Sequence, residues 1–328
     1  MTGDFIKQPM STTTFVAELE LAPGTHIGAV QESPYLSLIV GTLGRRRELE
    51  RALTSFTQQT MADFEVLIID QNPEGYLDDI IARFSEALDI RRIRTERGLS
   101  HARNIGLQHA RGTVAGFPDD DCWYGPDVCQ RVADYFASMP GLTLLTGRTL
   151  DAGGRESLSG DYRGSEGPIC RRDVFRTGNS NTFFLRRGVI SSVGGFDEGL
   201  GVGAPQGLQS GEETDLVIRC LDQDLRTYYD PSFTVFHDQV CVDRTESSLR
   251  RTREYSAGFG YLIRKHGFGP LYFTYRITRS VTRAAIQAAQ FDFWNARIRL
   301  NWAVGTARGF FHRRPESMAA VKEDDLPQ

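Results

Sequence analysis

The sequence lacks a cysteine framework. Its five cysteines, among 328 residues, form no Cys-x-x-Cys pair and are odd in number. A structural zinc site uses ligands at short, paired spacing, and a disulfide framework uses an even number of cysteines. We therefore expect neither kind of site, and a reducing cytoplasm is the compartment that fits this cysteine usage best.

Long apolar runs are also missing. No segment offers the roughly 18 consecutive apolar residues that a membrane span requires. The first fifteen residues, MTGDFIKQPMSTTTF, have no basic patch followed by an apolar run, which is the pattern of a secretory signal. The sequence therefore predicts a protein that is not exported and does not cross a bilayer.

Negatively charged residues are scarce in the C-terminal part of the chain. The formal net charge is -4, yet residues Arg244 to Arg314 contain fourteen Lys/Arg and three Asp/Glu, which gives +11 there and about -15 elsewhere. This asymmetry predicts that the basic C-terminal part and the acidic remainder meet different partners.

Short apolar runs alternate with helical periods from Leu36 onward. This order, β-α-β-α-β-α-β, is typical of a parallel sheet with helices on both faces, and such sheets bind ligands at the carboxyl ends of their strands. Each run ends in polar residues, so we expect a site at that edge of the sheet. The runs are LSLIV (36–40), EVLIID (65–70), IRRIRT (90–95) and TVAGF (113–117).

Three consecutive acids follow the fourth run, at Asp119, Asp120 and Asp121. Carboxylate oxygens at a strand end can hold a divalent cation against phosphate oxygens. The alternative is an acidic cap for a helix that begins near Gly125 and Pro126. One acid would satisfy a cap, however, and three adjacent like charges repel unless a cation or basic partner neutralises them. This favours a metal site.

These motifs resemble the family 2 glycosyltransferases of the GT-A fold over roughly residues 35–240. The acid triplet resembles their D-x-D motif, and the stretch Arg97 to Asn104 resembles their R-G-x-x-x-A-R-N segment. The resemblance implies that the last acid, Asp121, binds Mn²⁺ or Mg²⁺ and that Asp119 lies near the donor ribose. Asp120 is grouped with the nucleotide-sugar contacts, and its particular role is left open.

The same resemblance assigns further donor contacts. It places Thr42 and Arg45 beside the base and sugar, and Asp70 in a hydrogen bond with the base. It places Arg103 at the diphosphate with Arg97 nearby, because a helix N-terminus and a guanidinium both favour an anion. The alternatives are a solvated turn acid at Asp70 and surface charges at the two arginines of the R-G-x-x-x-A-R-N segment.

A second acidic motif occurs at Glu212, Glu213, Asp215 and Leu216. The family usually has Glu-Asp at its start, and the second acid there takes the proton from the acceptor hydroxyl. Glu213 is therefore the first choice for the general base and Glu212 the second. An acidic first helical turn that complements the helix dipole is an equally weighted reading for Glu212 and Asp215.

The resemblance also implies a second metal ligand and an acceptor wall. His237 ends a strand at the position where many relatives supply a histidine to the metal or diphosphate. Asn181 and Asp197 lie in stretches that resemble the acceptor side, although ordinary turn chemistry around Gly and Asn explains them as well.

Taken together, the resemblance implies an inverting transfer of a sugar from a nucleotide-diphosphate donor to a saccharide or lipid-linked hydroxyl, in cell-surface polysaccharide or glycolipid biosynthesis. Two rivals are a sugar-phosphate nucleotidyltransferase, disfavoured because GTLGRRR is a poor Gly-rich loop, and a catalytically silent carbohydrate-binding module. We expect residues 1–33 to be a lead-in, 34–244 the catalytic domain with halves at 34–124 and 125–244, and 245–328 a basic helical extension with a polar tail.

The basic extension predicts a membrane contact. From Tyr275 to Ala307 we expect one long amphipathic helix, with its arginines (276, 279, 283, 297) largely off an apolar stripe of Ile277, Val281, Ala284, Ala288, Phe291, Ile298 and Trp302. The alternative is a helix that packs this stripe on the catalytic domain. The charge favours an anionic membrane surface, on its cytoplasmic face, and no nucleic-acid motif accompanies it.

Overall fold

The computed structural model describes residues 33–156, 161–238 and 243–313, so the predicted lead-in and polar tail lie almost entirely outside the described residues. The predicted β-α-β-α-β-α-β order is confirmed. The four strands run parallel as β1 (Leu36–Thr42), β2 (Phe64–Asp70), β3 (Ile90–Arg94) and β4 (Val114–Gly116), and the helices between them are α1 (Arg46–Thr57), α2 (Asp78–Phe84) and α3 (Leu99–His109).

The second half of the sheet is largely antiparallel. Among the described residues the strand order is β3-β2-β1-β4-β8-β6-β9-β5, with β7 also paired to β9. Its elements are β5 (Cys122–Trp123), α4 (Val128–Ser138), β6 (Leu142–Leu150), β7 (Gly167–Pro168), β8 (Phe184–Arg186), α5 (Ile190–Val193), α6 (Glu212–Asp222) and β9 (Arg226–His237), with short 3₁₀ helices at Val174–Arg176, Ser180–Thr182 and Arg187–Val189.

Helices cover both faces of the sheet, as the sequence predicts. Side chains of β1 alternate between two apolar cores, with Leu38 and Val40 in one and Ile39 in the other. The first core also takes Leu53 from α1, and the second takes Ala102 from α3. Because successive residues of a strand point to opposite faces, a strand buried on both sides reads as a continuous apolar run.

The two-residue strand β5 determines where the site forms. It pairs antiparallel with the end of β9, so that Cys122 lies opposite His237 and Trp123 opposite Phe236. The rings of Trp123 and Phe236 stack with centroids 5.8 Å apart. This pairing brings the acid triplet, which directly precedes β5, to a histidine more than a hundred residues later.

The C-terminal part forms three helices, α7 (Glu246–Lys265), α8 (Gly269–Ala289) and α9 (Phe293–Phe310). The expected single helix from Tyr275 to Ala307 is therefore wrong. The chain turns at Phe291, which has a left-handed φ of 61°, and Asp292 caps α9 by accepting a hydrogen bond from the Asn295 amide at 3.3 Å. None of the described helices is long and apolar enough to cross a membrane.

Glycines inside these helices mark a close approach rather than a break. A Cβ atom at Gly260 of α7 would lie 1.9 Å from the Thr306 carbonyl oxygen, and one at Gly309 of α9 would lie 1.8 Å from the Ala257 carbonyl oxygen. The backbones of α7 and α9 therefore touch. In contrast, Gly267 and Gly269 have positive φ and lie at the junction where α7 has ended and α8 begins.

A buried ionic cluster joins α7 to α6. The carboxylate of Asp215, which is fully buried, accepts from Lys265 Nζ at 2.6 Å, His266 Nε2 at 2.7 Å and Arg219 Nε at 2.9 Å. These partners lower the pKa of Asp215 against the opposing effect of burial. Asp215 lies in the acidic first turn of α6, as the helix-dipole reading expects, and its side chain also connects the second acidic motif to the C-terminal helices.

Candidate active site

The three acids lie between β4 and β5, and two arginines neutralise them. Nη1 of Arg45 is 3.0 Å from Asp120 Oδ1 and also contacts Asp121, and Nη2 of Arg103 donates to Asp119 Oδ1 at 3.0 Å. Basic partners thus offset the repulsion that the sequence predicts. The cluster is not a simple helix cap, because α4 begins only at Val128 and receives no side-chain cap bond from its N-cap residue.

Arg103 connects the two acidic motifs. Only 2% of its surface is exposed, and its Nη1 donates to Glu212 Oε1 at 2.9 Å while Nη2 holds Asp119. The surface-charge alternative is therefore wrong for Arg103. Arg97, at the start of the same segment, is exposed, which agrees with that alternative. A buried arginine with a carboxylate on each nitrogen fixes the relative positions of the motifs.

The two glutamates of the second motif have different surroundings. Glu212 is buried, one of its oxygens accepts from Arg103, and its side chain lies close against Gly201. Glu213 is half-buried, and burial together with the charge of Glu212 raises the pKa of Glu213 to about 8. Glu212 thus holds Arg103, while Glu213 can exchange a proton near neutral pH.

Burial also raises the pKa values of two members of the acid triplet. The pKa of Asp120 rises to about 6 although the charge of Arg45 opposes this. Burial raises the pKa of Asp119 in the same way, against the charge of Arg103. The Asp119 side chain is nevertheless 29% exposed. It is therefore partly open to solvent, although the surrounding protein removes much of its hydration.

Asp121 and His237 face one another across the β5–β9 pair. Oδ1 of Asp121 lies 3.2 Å from Nε2 of His237. This hydrogen bond raises the pKa of His237, and burial partly opposes it. For Asp121 burial acts first and raises the pKa, but the bond with His237 and the charge of Arg45 outweigh it and lower the pKa.

The donor set suits a hard cation that is shared with a phosphate. Within the described ranges, no group of three or more His, Cys, Asp or Glu side chains is placed to hold a metal ion. Asp121 and His237 supply one carboxylate oxygen and one imidazole nitrogen. Magnesium is commonly held by one or two carboxylates together with substrate phosphates, so a two-residue set fits a cation that also binds a diphosphate.

Arg51 is a site residue that the sequence reasoning missed. From α1 its Nη2 donates to the backbone carbonyl of Asp121 at 2.9 Å and its Nη1 donates to Asp238 at 2.6 Å. Its guanidinium lies 4.1 Å from the ring centroid of Trp123. Arg51 therefore supports both strands that carry Asp121 and His237. Periodicity could only place it on the polar side of α1, because its partners are distant in sequence.

Thr42 and Asp70 end neighbouring strands in register, and both are buried. The Asp70 carboxylate accepts from the Asn72 amide at 2.9 Å and from Asn72 Nδ2 at 2.8 Å. The expected turn chemistry at Asn72 and Pro73 is present, but the turn acid is not solvated. Contact of Thr42 and Asp70 with a base stays a prediction.

The two predicted acceptor residues already have structural partners. Oδ1 of Asn181, which is buried, accepts from Thr149 Oγ1 at 2.8 Å. Asp197 accepts from Lys265 Nζ at 2.8 Å and from the Gly199 amide at 3.0 Å. Asp197 thus connects the loop between α5 and α6, in which it lies, to α7. Their contact with an acceptor stays a prediction.

Comparison with known proteins finds similarity to glycosyltransferases. The family described as Glycosyl transferase family 2 matches residues 37–172. An uncharacterized glycosyltransferase of Haemophilus influenzae is 30% identical over 112 residues, which is 34% of this chain and 37% of that protein. A PGL/p-HBAD biosynthesis glycosyltransferase of Mycobacterium bovis is 28% identical over 170 residues, which is 50% of this chain and 64% of that protein. The chain thus spans between about a third and two thirds of these relatives.

Solved structures share the fold. A mannosyltransferase of Pyrobaculum calidifontis, in complex with GDP-Man and Mn²⁺, superposes with a TM-score of 0.52 at 17% identity, covering 84% of this chain and 74% of that one. TarS residues 1–349 of S. aureus give 0.52 at 15% identity, with 84% and 88% covered. The predicted GT-A fold is confirmed, and the family resemblance is supported by the match of residues 37–172 to glycosyl transferase family 2.

Proposed function

We propose that this protein transfers a sugar from a nucleotide-diphosphate donor to a hydroxyl acceptor with inversion of the anomeric configuration. The observation that carries the proposal is the bridge through Arg103, which joins Asp119 of the triplet to Glu212 beside the candidate base. A donor site and a base site are thereby held in one rigid arrangement. The solved neighbour with GDP-Man supports a nucleotide-sugar donor.

A divalent cation, Mn²⁺ or Mg²⁺, is proposed as cofactor. Asp121 and His237 would hold it, and when bound it would offset negative charge on the donor diphosphate. Asp121 suits this role because its lowered pKa keeps the carboxylate ionised at neutral pH. Arg45, whose side chain is 48% exposed, is the more accessible guanidinium for the departing diphosphate. Each arginine contacts two carboxylates, but the side chain of Arg103 is only 2% exposed.

Glu213 is proposed as the general base. In its ionised form the carboxylate takes the proton of the acceptor hydroxyl, the oxygen forms a bond to the anomeric carbon, and the bond from that carbon to the diphosphate oxygen breaks. A base is most effective when its pKa lies near the working pH, and Glu213 has a pKa of about 8. Glu212 serves as a positioning residue through Arg103.

The acceptor is proposed to be a saccharide or a lipid-linked hydroxyl at an anionic membrane surface, with the protein peripheral on the cytoplasmic side. The support is charge, because residues Arg244 to Arg314 carry +11. Each Lys or Arg near an anionic surface contributes about 1 kcal/mol. The polysaccharide or glycolipid pathway follows from such an acceptor.

The donor part of the proposal can be tested by thermal shift with a panel of nucleotide sugars and nucleoside diphosphates, each with and without Mn²⁺. A ligand that binds the native state alone raises the apparent melting temperature by mass action. We expect one nucleoside series to stabilise the protein when Mn²⁺ is present. The absence of any metal-dependent shift across the panel would contradict the proposal.

A further inference from the structure

One stripe of α8 has several exposed side chains and mixes apolar and basic residues. Leu271, Tyr275, Arg279, Thr282 and Ile286 follow at intervals of three or four residues, so they share one face of the helix. The exposed fractions are 86% for Leu271, 56% for Tyr275 and 51% for Ile286. Leu271 and Tyr275 lie one helical turn apart, so they form a small exposed apolar surface, and Ile286 lies about three turns further along.

A groove of about 430 Å³ lies over the middle of this stripe. It is lined by Tyr275, Thr278, Arg279, Thr282 and Arg283. Two arginines, two threonines and one tyrosine therefore border the groove, and the apolar residues Leu271 and Ile286 lie towards the two ends of the helix face.

Arg299 adds a third guanidinium from α9. Ser280 Oγ on α8 donates to the Arg299 carbonyl oxygen at 2.9 Å, which fixes the two helices at this level. Burial, followed by the positive charges of Arg283 and Arg279, lowers the pKa of Arg299. The three arginines thus repel one another, and we refer to Arg279, Arg283 and Arg299 as the arginine cluster.

Some other basic residues of these helices have close partners, whereas no member of the arginine cluster pairs with a carboxylate in the described residues. Arg297 pairs with Glu246, Lys265 with Asp215, and Arg276 lies over the Trp302 ring. In the described parts of the chain, no carboxylate forms an ion pair with a member of the cluster. The sequence explains this, because Asp292 is the single carboxyl side chain between Tyr255 and His312 and it caps α9.

The side chains of this surface indicate which class of ligand it binds. Planar guanidiniums bind phosphate oxygens with two parallel hydrogen bonds, and hydroxyls add further donors. A free phosphate would leave Leu271, Tyr275 and Ile286 in water, whereas a phospholipid supplies an apolar layer beside its phosphate. Unpaired positive charge flanked by exposed apolar side chains therefore favours an anionic lipid surface over a soluble anion.

We propose that the outward face of α8, with the arginine cluster at its centre, binds the headgroup phosphate of an anionic phospholipid while its apolar ends enter the lipid layer. This inference rests on the membrane part of the proposed function and adds the residues that make the contact. The contact face combines a stripe of α8 with Arg299 of α9, rather than one helix running on to Ala307.

Flotation of the full chain with vesicles tests the proposal. The vesicles contain phosphatidylcholine alone or phosphatidylcholine with phosphatidylglycerol, and the test variant is Arg279→Ala/Arg283→Ala/Arg299→Ala. The matched control, Arg244→Ala/Arg250→Ala/Arg313→Ala, removes the same charge from exposed positions in the same extension. Circular dichroism checks that all variants keep their fold.

We expect the wild-type chain to bind only the vesicles that contain phosphatidylglycerol. The cluster variant should lose about a hundredfold in partitioning, because each arginine at an anionic surface contributes about fivefold, whereas the control should lose less than about fivefold. Arg279→Lys/Arg283→Lys/Arg299→Lys keeps the positive charge, so it should bind the vesicles better than the triple alanine variant and less well than the wild-type chain. Ile286→Asn should weaken binding with no change in charge.

Equal losses in the cluster and control variants would overturn the proposal, since net charge rather than a site would then govern binding. Binding by inorganic phosphate or by a nucleic acid with none to vesicles would overturn it as well. Donor-dependent thermal shift is measured in parallel. If the wild-type chain does not bind vesicles but shows the donor shift, this inference and the membrane part of the proposed function are wrong and the donor part stands, whereas vesicle binding with no donor shift contradicts the donor part alone.

Discussion

Arg103 and Glu212, 109 residues apart in sequence, form a buried ion pair with Nη1 and Oε1 2.9 Å apart. The pair connects α3, in the first half of the sheet, to α6, in the second. Because Nη2 of the same arginine holds Asp119, the acid triplet and the second acidic motif cannot move independently of one another.

Arg103→Ala should destabilise the protein by about 3–5 kcal/mol, because removing one partner of a buried pair leaves an uncompensated charge at Glu212. The measurement is the urea midpoint at constant slope. Arg45→Ala is the matched control. Its partly exposed side chain also pairs with the acid triplet, and its removal should change stability by about 1 kcal/mol or less. A loss at Arg103 no larger than that at Arg45 would contradict this account of the pair.

Glu213→Gln should lower kcat by about 10² to 10⁴ while donor binding is retained, because the variant lacks a general base. Glu212→Gln should mainly reduce stability, since its carboxylate pairs with Arg103. Steady-state kinetics on both variants, alongside donor titration, separates the roles. The assignment is reversed if Glu212→Gln alone loses turnover with its fold and donor affinity intact.

The pKa of Glu213 gives the same assignment a pH signature. Its value of about 8 lies above the ordinary glutamate pKa, so the native state holds a proton that the unfolded chain releases. Stability should therefore fall as pH rises from about 4.3 towards 8. Turnover should rise over the approach to pH 8 as the base ionises. Glu213→Gln should lose less stability than the wild-type chain between pH 5.5 and pH 8.5. Urea unfolding of both proteins at these two pH values measures the difference.

Asp215→Asn should detach the C-terminal helices from α6, because Lys265 and His266 would lose their buried carboxylate. The pKa of Asp215 is lowered in the native state, so its contribution is present above the ordinary aspartate value of about 3.9 and is lost as pH falls below it. We expect a loss of about 3–5 kcal/mol at pH 7 that shrinks in acid. An equal loss at pH 7 and at pH 3 would contradict the ionic role.

Gly309→Ala should loosen the packing of α9 on α7, because its Cβ would lie 1.8 Å from the Ala257 carbonyl oxygen. Overpacking of this kind destabilises by about 1–3 kcal/mol. Val304→Ala, at an exposed position of the same helix, is the control and should be nearly neutral. Hydrogen exchange of α9 amides reports the effect, and equal protection in both variants would show that the two backbones do not meet at Gly309.

The sequence predicts the first half of the fold well. The runs at 36–40, 65–70, 90–95 and 113–117 become β1 to β4, because strands buried on both faces leave uninterrupted apolar runs. The strand that ends at His237 is also confirmed, and α6 begins with the acidic first turn that the sequence suggests. Strand β6 at Leu142–Leu150 was not predicted, since nothing local shows that it pairs with β8 and β9.

The C-terminal helices show where local patterns fail. Glycine is unfavourable inside a helix, yet Gly258 and Gly260 lie inside α7, where the backbones at Ser210 and Thr306 come too close for a side chain. The turn at Phe291 carries no glycine or proline, so the apolar period continues through it and predicts one helix instead of two. Both departures from the local pattern have the same cause, because tertiary contacts decide the outcome at these positions.

The site residues divide in a similar way. The acid triplet, Arg103 and His237 could be predicted because their motifs are contiguous or end a clear strand. Arg51 could not, since its contacts with Asp121 and Asp238 depend on how α1 packs beside β5. The different surroundings of Glu212 and Glu213 also come from the fold, through Arg103.

Calorimetric titration with nucleoside diphosphates tests the central claim most directly, because it needs no acceptor. The wild-type chain and Asp121→Asn are titrated with and without Mn²⁺. The account predicts that the wild-type chain binds one diphosphate at least tenfold more tightly when Mn²⁺ is present and that Asp121→Asn abolishes this gain while its melting temperature is kept. Equal metal-dependent affinity in the two proteins, or no binding by either, would contradict a metal-assisted donor site at Asp121 and His237.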